Sequence, residues 1–382
     1  MASIVETAPL VLNVGVVLMA AATSGLIARK VGLPAIVGYL LTGLLVSPFT
    51  PGFVADGNQL AILADIGVVL LLFEVGIEID LRRIRNEHGA LLWAAPLQVI
   101  IGTLLGTPVF LLLDIPLFGA VLLALSLAMS SSVVIVNITR SRKRTTSAST
   151  EESLLGWSVL QDITGVTLAA LAIAILGVSD KSPLRSILGL VGFIALAFAA
   201  SRLLPFLLRL VRWEHDLFLI YSVAIGLTIA AIGTVVFEVP MALASFVAGL
   251  AINQSRDTDA VRKAILPFKD LFQVLFFVVI GSLVQPSLIL EALPFAGLLV
   301  LLMLLLKTLP AFVLSRFAKI GESSGQLALG LSQIGEFSFV LGAAALAAGA
   351  LSKVQFTGVL LAVIVSITFS TLAVRRASRI SR

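Results

Sequence analysis

PAIVGYLLTGL, residues Pro34 to Leu44, returns in altered form as PMALASFVAGL, Pro240 to Leu250, at an offset of 206 residues. In each copy a proline is followed nine residues later by Gly-Leu, at Gly43 and at Gly249. A similar shift sets LLLFEVG, ending at Gly76, against VLFFVVIG, ending at Gly281, and the small polar cluster Ser130-Ser131-Ser132 against Ser332-Gln333. One such match would carry little. Three in the same order indicate a duplicated chain, and the fold follows from how many membrane crossings separate the copies.

Turn and charge signals cut the apolar runs around these motifs into thirteen predicted helices, near residues 8–28, 34–47, 60–78, 89–113, 116–139, 152–177, 184–208, 216–236, 240–253, 268–284, 293–315, 325–349 and 354–374. Six of them, a linker helix and six more place equivalent helices an odd number of crossings apart, so the copies run in opposite orientations. The expected fold is an all-α polytopic membrane protein of about thirteen transmembrane helices: an inverted repeat over about 8–177, a linker over about 184–208 and a second repeat over about 216–374. Inverted repeats place a substrate site near the midplane, where the copies meet.

Composition agrees. Of 382 residues 59% are hydrophobic and 12% charged, where a soluble domain carries about 25% charged residues. With the N-terminus outside, loops after odd-numbered helices are cytoplasmic and should collect Lys and Arg. They hold all 26 except Lys181, Arg185 and Lys353 on the opposite side and Arg202 and Lys307 inside predicted helices. This places the chain in the inner (plasma) membrane with its C-terminus in the cytoplasm. The pI near 9.8 is thereby a matter of topology and not of a nucleic-acid partner, since the basic residues form no continuous patch. The absence of cysteine excludes disulfides and thiolate chemistry. No Walker loop, HExxH or GxGxxG sequence is present, which points to a transporter without a bound cofactor and not to an enzyme. His88 and His215 fall in predicted loops without metal-ligand spacing.

Asp162 is the residue that carries chemistry. It stands in LGWSVLQDITGVTL, Leu155 to Leu168, about ten residues into its predicted helix, or roughly half a bilayer at about 1.5 Å per residue. A charge at that depth costs about 2.5–3.5 kcal/mol even on the lenient insertion scale, so such residues tend to be functional or paired. The alternative is a hydrogen-bonded acid that locks helices together. Gln161 points about 100° away around the helix, with an amide oxygen able to coordinate a cation. Two helices look interrupted, one at Ser130, Ser131 and Ser132 and one at Gln333, Gly335 and Glu336. Hydroxyls and glycine suit an unwound stretch, whose carbonyls and half-helix ends attract cations. Either cluster alone also fits close helix packing. Lys307 lies too deep to snorkel; it either balances the acids of the site or forms a structural pair with Glu336 or Asp162. Glu74 reads as a helix-end acid with a local hydrogen bond.

Together these stretches resemble the monovalent cation:proton antiporter-2 family and, within it, the Kef-type potassium:proton branch. The resemblance runs nearly the whole chain, through GLPAIVGYLLTGLLVSP (Gly32 to Pro48), LLLFEVGIEID (Leu70 to Asp80), AMSSSVVIV (Ala128 to Val136), SVLQDI (Ser158 to Ile163), PFKDLFQVLFFVVIG (Pro267 to Gly281) and LSQIGEFSFVL (Leu331 to Leu341). The Gln-Asp pair is its most diagnostic element, because the sodium-selective branch typically carries Asp-Asp. The resemblance implies that Asp162 binds the monovalent cation and the proton, and that Ser130–Ser132 and Gln333–Glu336 mark crossed, broken helices. It makes Lys307 similar to a buried lysine whose usual partner, the first acid, is Gln161 here. Other departures are Glu74 at a usually apolar position and GSLVQP in place of a glycine-methionine-serine run. A homodimer is implied, with helices 1–3 and 8–10 as scaffold and helices 4–6 and 11–13 as an elevator. Relatives usually continue into a cytoplasmic nucleotide-binding regulatory domain; none is found before Arg382, so a short member or a truncated chain is expected.

The expected activity is competitive: Asp162 holds one proton or one K⁺ or Na⁺, never both. With one carboxylate the simplest exchange is one cation for one proton, electroneutral, K⁺ favoured over Na⁺. A sodium:proton antiporter is the alternative. A sodium-coupled organic-anion symporter would use the same repeat, whereas a channel would want a symmetric ring of acids or carbonyls.

Overall fold

The computed structural model describes residues 4–51, 57–78, 89–131, 134–135, 147–176, 183–211, 213–239, 241–253, 258–321 and 323–380. All regular structure among them is helical. Among the described residues nine helices are long and apolar enough to cross a membrane, and shorter apolar ones lie at Ala35–Leu45, Leu117–Ala128, Ala244–Asn253 and Phe337–Ala347. The chain falls into two compact units, one of residues 1–79 and 179–286, the other of residues 80–178 and 287–382.

The first unit holds α1 (Ile4–Lys30), α2 (Ala35–Leu45), α3 (Gly57–Glu78), α7 (Pro183–Val211), α8 (His215–Val235), α9 (Met241–Asn253) and α10 (Thr258–Ser282). The duplication is visible in its packing. A Cβ added at Gly43 would overlap the Val278 carbonyl and crowd Gly281, and one at Gly249 would overlap the Phe73 carbonyl and crowd Gly76. Reciprocally, Gly281 lies against the Leu40 carbonyl and Gly76 against that of Phe246. Under the sequence offset Leu40 and Gly43 become Phe246 and Gly249, while Phe73 and Gly76 become Val278 and Gly281. The contact of α2 on α10 is therefore the contact of α9 on α3 repeated about an internal two-fold axis. Glycine is required at these crossings because backbone meets backbone with no room for a side chain. Gly249→Val should cost about 1–3 kcal/mol or more, in line with overpacked cores, and lower the thermal midpoint in detergent; a parental midpoint would show that this crossing is not tight. Pro240 and Ser132, which share the sequence repeat, lie outside the described residues, as does His88.

Outward-facing apolar side chains, among them Met19, Leu188, Phe206 and Leu210, are more than half exposed, a surface that demands lipid as solvent. Arg202, a charge within a predicted helix, sets its guanidinium over the Phe198 ring at 4.8 Å, which shields it through a cation–π contact. Glu74 departs from expectation. It is 5% exposed and accepts a hydrogen bond from Arg262 Nε at 2.9 Å, so its partner is on α10 and not in its own helix. The sequence placed Arg262 in a loop; α10 starts about ten residues before the predicted position because its first turns are amphipathic, and it carries Pro267 inside.

The second unit holds α4 (Leu91–Leu111), α5 (Leu117–Ala128), α6 (Ala148–Leu176), α11 (Ile289–Met303), α12 (Leu309–Phe317), α13 (Ser324–Leu331), α14 (Phe337–Ala347) and α15 (Lys353–Ile380). A π-helical turn, Leu304–Thr308, joins α11 to α12. Pro310 accounts for it in part: lacking an N–H, it leaves the carbonyl four residues earlier without its α-helical partner. That carbonyl, of Leu306, faces the open side of Gly102. Trp157, Leu154, Leu91, Ala94, Ala311 and Leu327 form an apolar cluster that ties α4, α6, α12 and α13 together.

Candidate functional site

Both interruptions expected in the second unit are present. α5 ends at Ala128, and Met129 is extended at φ −99°, ψ 144°. α13 ends at Leu331, and Ser332 leaves the helix at φ −75°, ψ 59°. The two unwound stretches cross in contact. Gly335 N–H donates to the Met129 carbonyl at 2.9 Å, Ser130 Oγ donates to the Leu331 carbonyl at 2.9 Å, and Gln333 Nε2 donates to the Ser131 carbonyl at 3.2 Å and to that of Gly330 at 3.3 Å. A Cβ at position 335 would stand 2.9 Å from the Ser130 carbonyl group, so the crossing is glycine-dependent on one strand. Ser366 Oγ, from α15, satisfies the Ile334 N–H at 3.0 Å. Each backbone group freed by a broken helix that these contacts reach thus finds a partner, the condition for unwound chain at membrane depth.

Lys307 is fully buried and sits in the π-helical turn. Its ammonium donates to the Met129 carbonyl at 3.0 Å and to the Gln333 carbonyl. These are one carbonyl from each broken helix, just beyond the C-terminal ends of α5 and α13. A helix C-terminus carries roughly half a negative charge, so two such ends match one ammonium. The sequence offered Glu336 or Asp162 as its partner; the structure adds two backbone carbonyls of the crossing, which the sequence did not suggest.

Asp162 is 3% exposed. Its face of α6 is set by neighbours one turn away on either side. Ser158, four residues earlier, reaches the Ser130 carbonyl with its Oγ at 3.4 Å. Gly165, three residues later, has the Met129 side chain where a Cβ would stand. The Asp162 face therefore turns toward the break after α5. Gln161 and Trp157 share a different face. Gln161 Nε2 donates to Gln98 Oε1 of α4, Trp157 Nε1 donates to the same oxygen at 3.5 Å, and Gln98 Nε2 donates to the Ala128 carbonyl at 3.4 Å.

Of the residues singled out from sequence, Ser130, Ser131, Lys307, Gln333 and Gly335 meet at the crossing through the bonds above. Glu336 follows Gly335 at the start of α14 and is 5% exposed, Asp162 faces the crossing, and Gln161 is tied to Gln98. Ser132 lies outside the described residues. Gln98, Trp157 and Ser158 were not foreseen. The available signal was an amide alone in the apolar run PLQVIIGTLLG (Pro96 to Gly106), since polar groups in membrane helices mark interhelical bonds or sites. Chemically, a buried carboxylate beside unwound carbonyls and hydroxyls offers hard oxygen ligands to a small cation and one group that can carry a proton in its stead.

Comparison with known proteins supplies the family. Residues 16–377 match the sequence model for the sodium/hydrogen exchanger, transmembrane. The chain is 32% identical over 380 residues to YbaL of Escherichia coli strain K12, described as a candidate cation/proton antiporter, covering 94% of this chain and 67% of that one. Among solved structures, the sodium proton antiporter MjNhaP1 from Methanocaldococcus jannaschii at pH 8 superposes with a TM-score of 0.74 over 97% of this chain and 98% of its own at 16% identity. An electron-microscopy map of the same antiporter gives 0.68 over 95% and 96%, at 17% identity. At these identities the structures establish likeness of fold.

Proposed function

This chain belongs to the sodium/hydrogen exchanger transmembrane family, and from that premise we propose that it exchanges one monovalent cation, K⁺ ahead of Na⁺, for one proton at Asp162. The observation that carries the reading is the placement of this single buried carboxylate on the face of α6 turned to two crossed chain breaks. Asp162, Ser130 and Ser131 on one side of the crossing, with Gln161 and Gln333 beside it, supply the oxygens for a partly dehydrated cation; a proton on the carboxyl removes the negative charge that holds it. Occupancy is then one or the other, and alternation between the two sides of the membrane makes it exchange.

The neutral Gln161 leaves one titrating carboxylate where an Asp-Asp pair would have two, which supports a one-for-one, electroneutral cycle and, through the resemblance to the Kef-type branch, K⁺. The division into two units supports an elevator: α4–α6 and α11–α15, which carry the site, share one unit, and α1–α3 with α7–α10 share the other. A homodimer built on the second of these, in the plasma membrane with a cytoplasmic C-terminus, completes the proposal.

The test is dye-reported proton flux in liposomes holding the purified chain. Added K⁺ should drive proton movement more strongly than Na⁺ or Li⁺, and clamping the membrane potential should leave the rate unchanged. Flux with Na⁺ alone would move the chain to the sodium alternative, and a rate that follows the imposed voltage would end the one-for-one stoichiometry.

A further inference from the structure

Gln98 lies between two groups that fix which way its amide faces. The Trp157 indole N–H can only donate, and the Ala128 carbonyl can only accept. Gln98 must therefore turn Oε1 to Trp157, at 3.5 Å, and Nε2 to Ala128, at 3.4 Å. Gln161 meets the same Gln98 oxygen and has to present its own Nε2 there. The orientation passes along the chain of amides: Gln161 has its nitrogen committed and its carbonyl oxygen left over. Gln161, Gln98 and Trp157 are all fully buried, and Gln161 Oε1 meets no hydrogen-bond donor among the described residues.

A buried amide oxygen without a donor is a cost unless something else satisfies it. Gln333 repeats the pattern on the second break, with its Nε2 shared between two carbonyls and its buried Oε1 meeting no donor among the described residues. A cation is the ligand for which such oxygens are suited.

From these contacts we infer that Trp157 and Gln98 are positioning residues that lock the Gln161 side chain as an oxygen donor to the transported cation, and so set the affinity for that cation. The inference rests on the reading that cation and proton compete at Asp162. It goes further in assigning to α4 and to an indole N–H a role in the affinity for the cation. Outer partners that orient a metal ligand typically contribute about 10–100-fold in affinity.

Trp157→Phe keeps an aromatic ring in the core and deletes the N–H together with part of the indole bicycle, a packing loss that the Gln161→Ala background shares; Gln98 can then turn over, and Gln161 with it. The half-saturating K⁺ concentration for proton flux should rise about 10-fold in Trp157→Phe and in Gln98→Leu, with the maximal rate at saturating K⁺ held. The same Trp157→Phe change made on Gln161→Ala should add nothing, because the group it orients is gone. If the half-saturating concentration is unmoved, or if Trp157→Phe acts as strongly without the Gln161 amide, the inference is overturned. Loss of folded protein in Gln98→Leu leaves the Trp157→Phe pair to decide. Failure here is separable from failure of the underlying reading: the former leaves Asp162→Asn inactive with an unchanged K⁺ response in Trp157→Phe, whereas the latter shows as exchange surviving in Asp162→Asn.

Discussion

Lys307→Met lowers the thermal midpoint of the purified protein in detergent by about 4–16 °C and removes cation-driven proton flux. The stability figure follows from the contacts of the ammonium. Hydrogen bonds to a charged donor contribute about 1.5–3 kcal/mol each, and a buried carbonyl left without its donor costs about 1–3 kcal/mol. Lys307 makes two such bonds, to Met129 and Gln333. Against this stands the desolvation relieved by removing a buried charge, which can make a well-packed apolar substitute nearly neutral. Here the loss outweighs that relief, because two helix C-termini would be left facing each other with no cation between them. A net loss of about 2–4 kcal/mol at about 2–4 °C per kcal/mol gives the range above. Flux fails because the Gln333 carbonyl, left without its donor, and the Met129 carbonyl, one residue from Ser130, would hold a transported cation in place of the Lys307 ammonium. Lys307→Gln, whose amide can donate to one carbonyl, should fall between parent and Lys307→Met. A Met variant with parental midpoint and parental flux would show that the ammonium is not what holds the crossing.

The sequence made the large features readable because membrane physics is strict. A helix that spans lipid must be apolar for about 20 residues, so Leu91–Leu111 and Asp216–Val235 announce themselves. Small residues forced by backbone contact leave a trace at fixed spacing, and Gly43, Gly76, Gly249 and Gly281 carry the internal symmetry into the packing. The breaks were legible because Ser130-Ser131 and Gln333-Gly335 are poor continuations of a buried apolar helix and recur at matching places in the two halves.

What was not legible depended on partners remote in sequence. Glu74 looks like any acid near a helix end until Arg262, 188 residues on, comes within 2.9 Å. Lys307 invites an acidic partner by charge alone, and the two carbonyls it meets as well become available only once α5 and α13 have been broken. Gln98 is a single amide in an apolar helix, and nothing local says that it will stand between an indole N–H and a helix-end carbonyl. In each case the residue type was visible and its role was set by tertiary contacts. The likeness to MjNhaP1 at a TM-score of 0.74 with 16% identity makes the same point at the level of the whole chain: the arrangement of helices persists where most side chains have changed.

Asp162 bears the largest expected effect on function. Its carboxylate lies on the α6 face that Ser158 and Gly165 turn to the crossing, and an amide in its place keeps size while losing both the charge and the titrating proton. Asp162→Asn should fold, since it removes a buried charge that would cost about 2.5–3.5 kcal/mol at the centre of a membrane helix. It should therefore show a thermal midpoint at or above the parent while cation-driven proton flux drops to the level of empty liposomes. The decisive measurement is that flux, recorded side by side for the parent and Asp162→Asn with K⁺ as the driving ion. Flux in the parent and none in the folded variant is the predicted result; equal flux in both would contradict the assignment of exchange to Asp162.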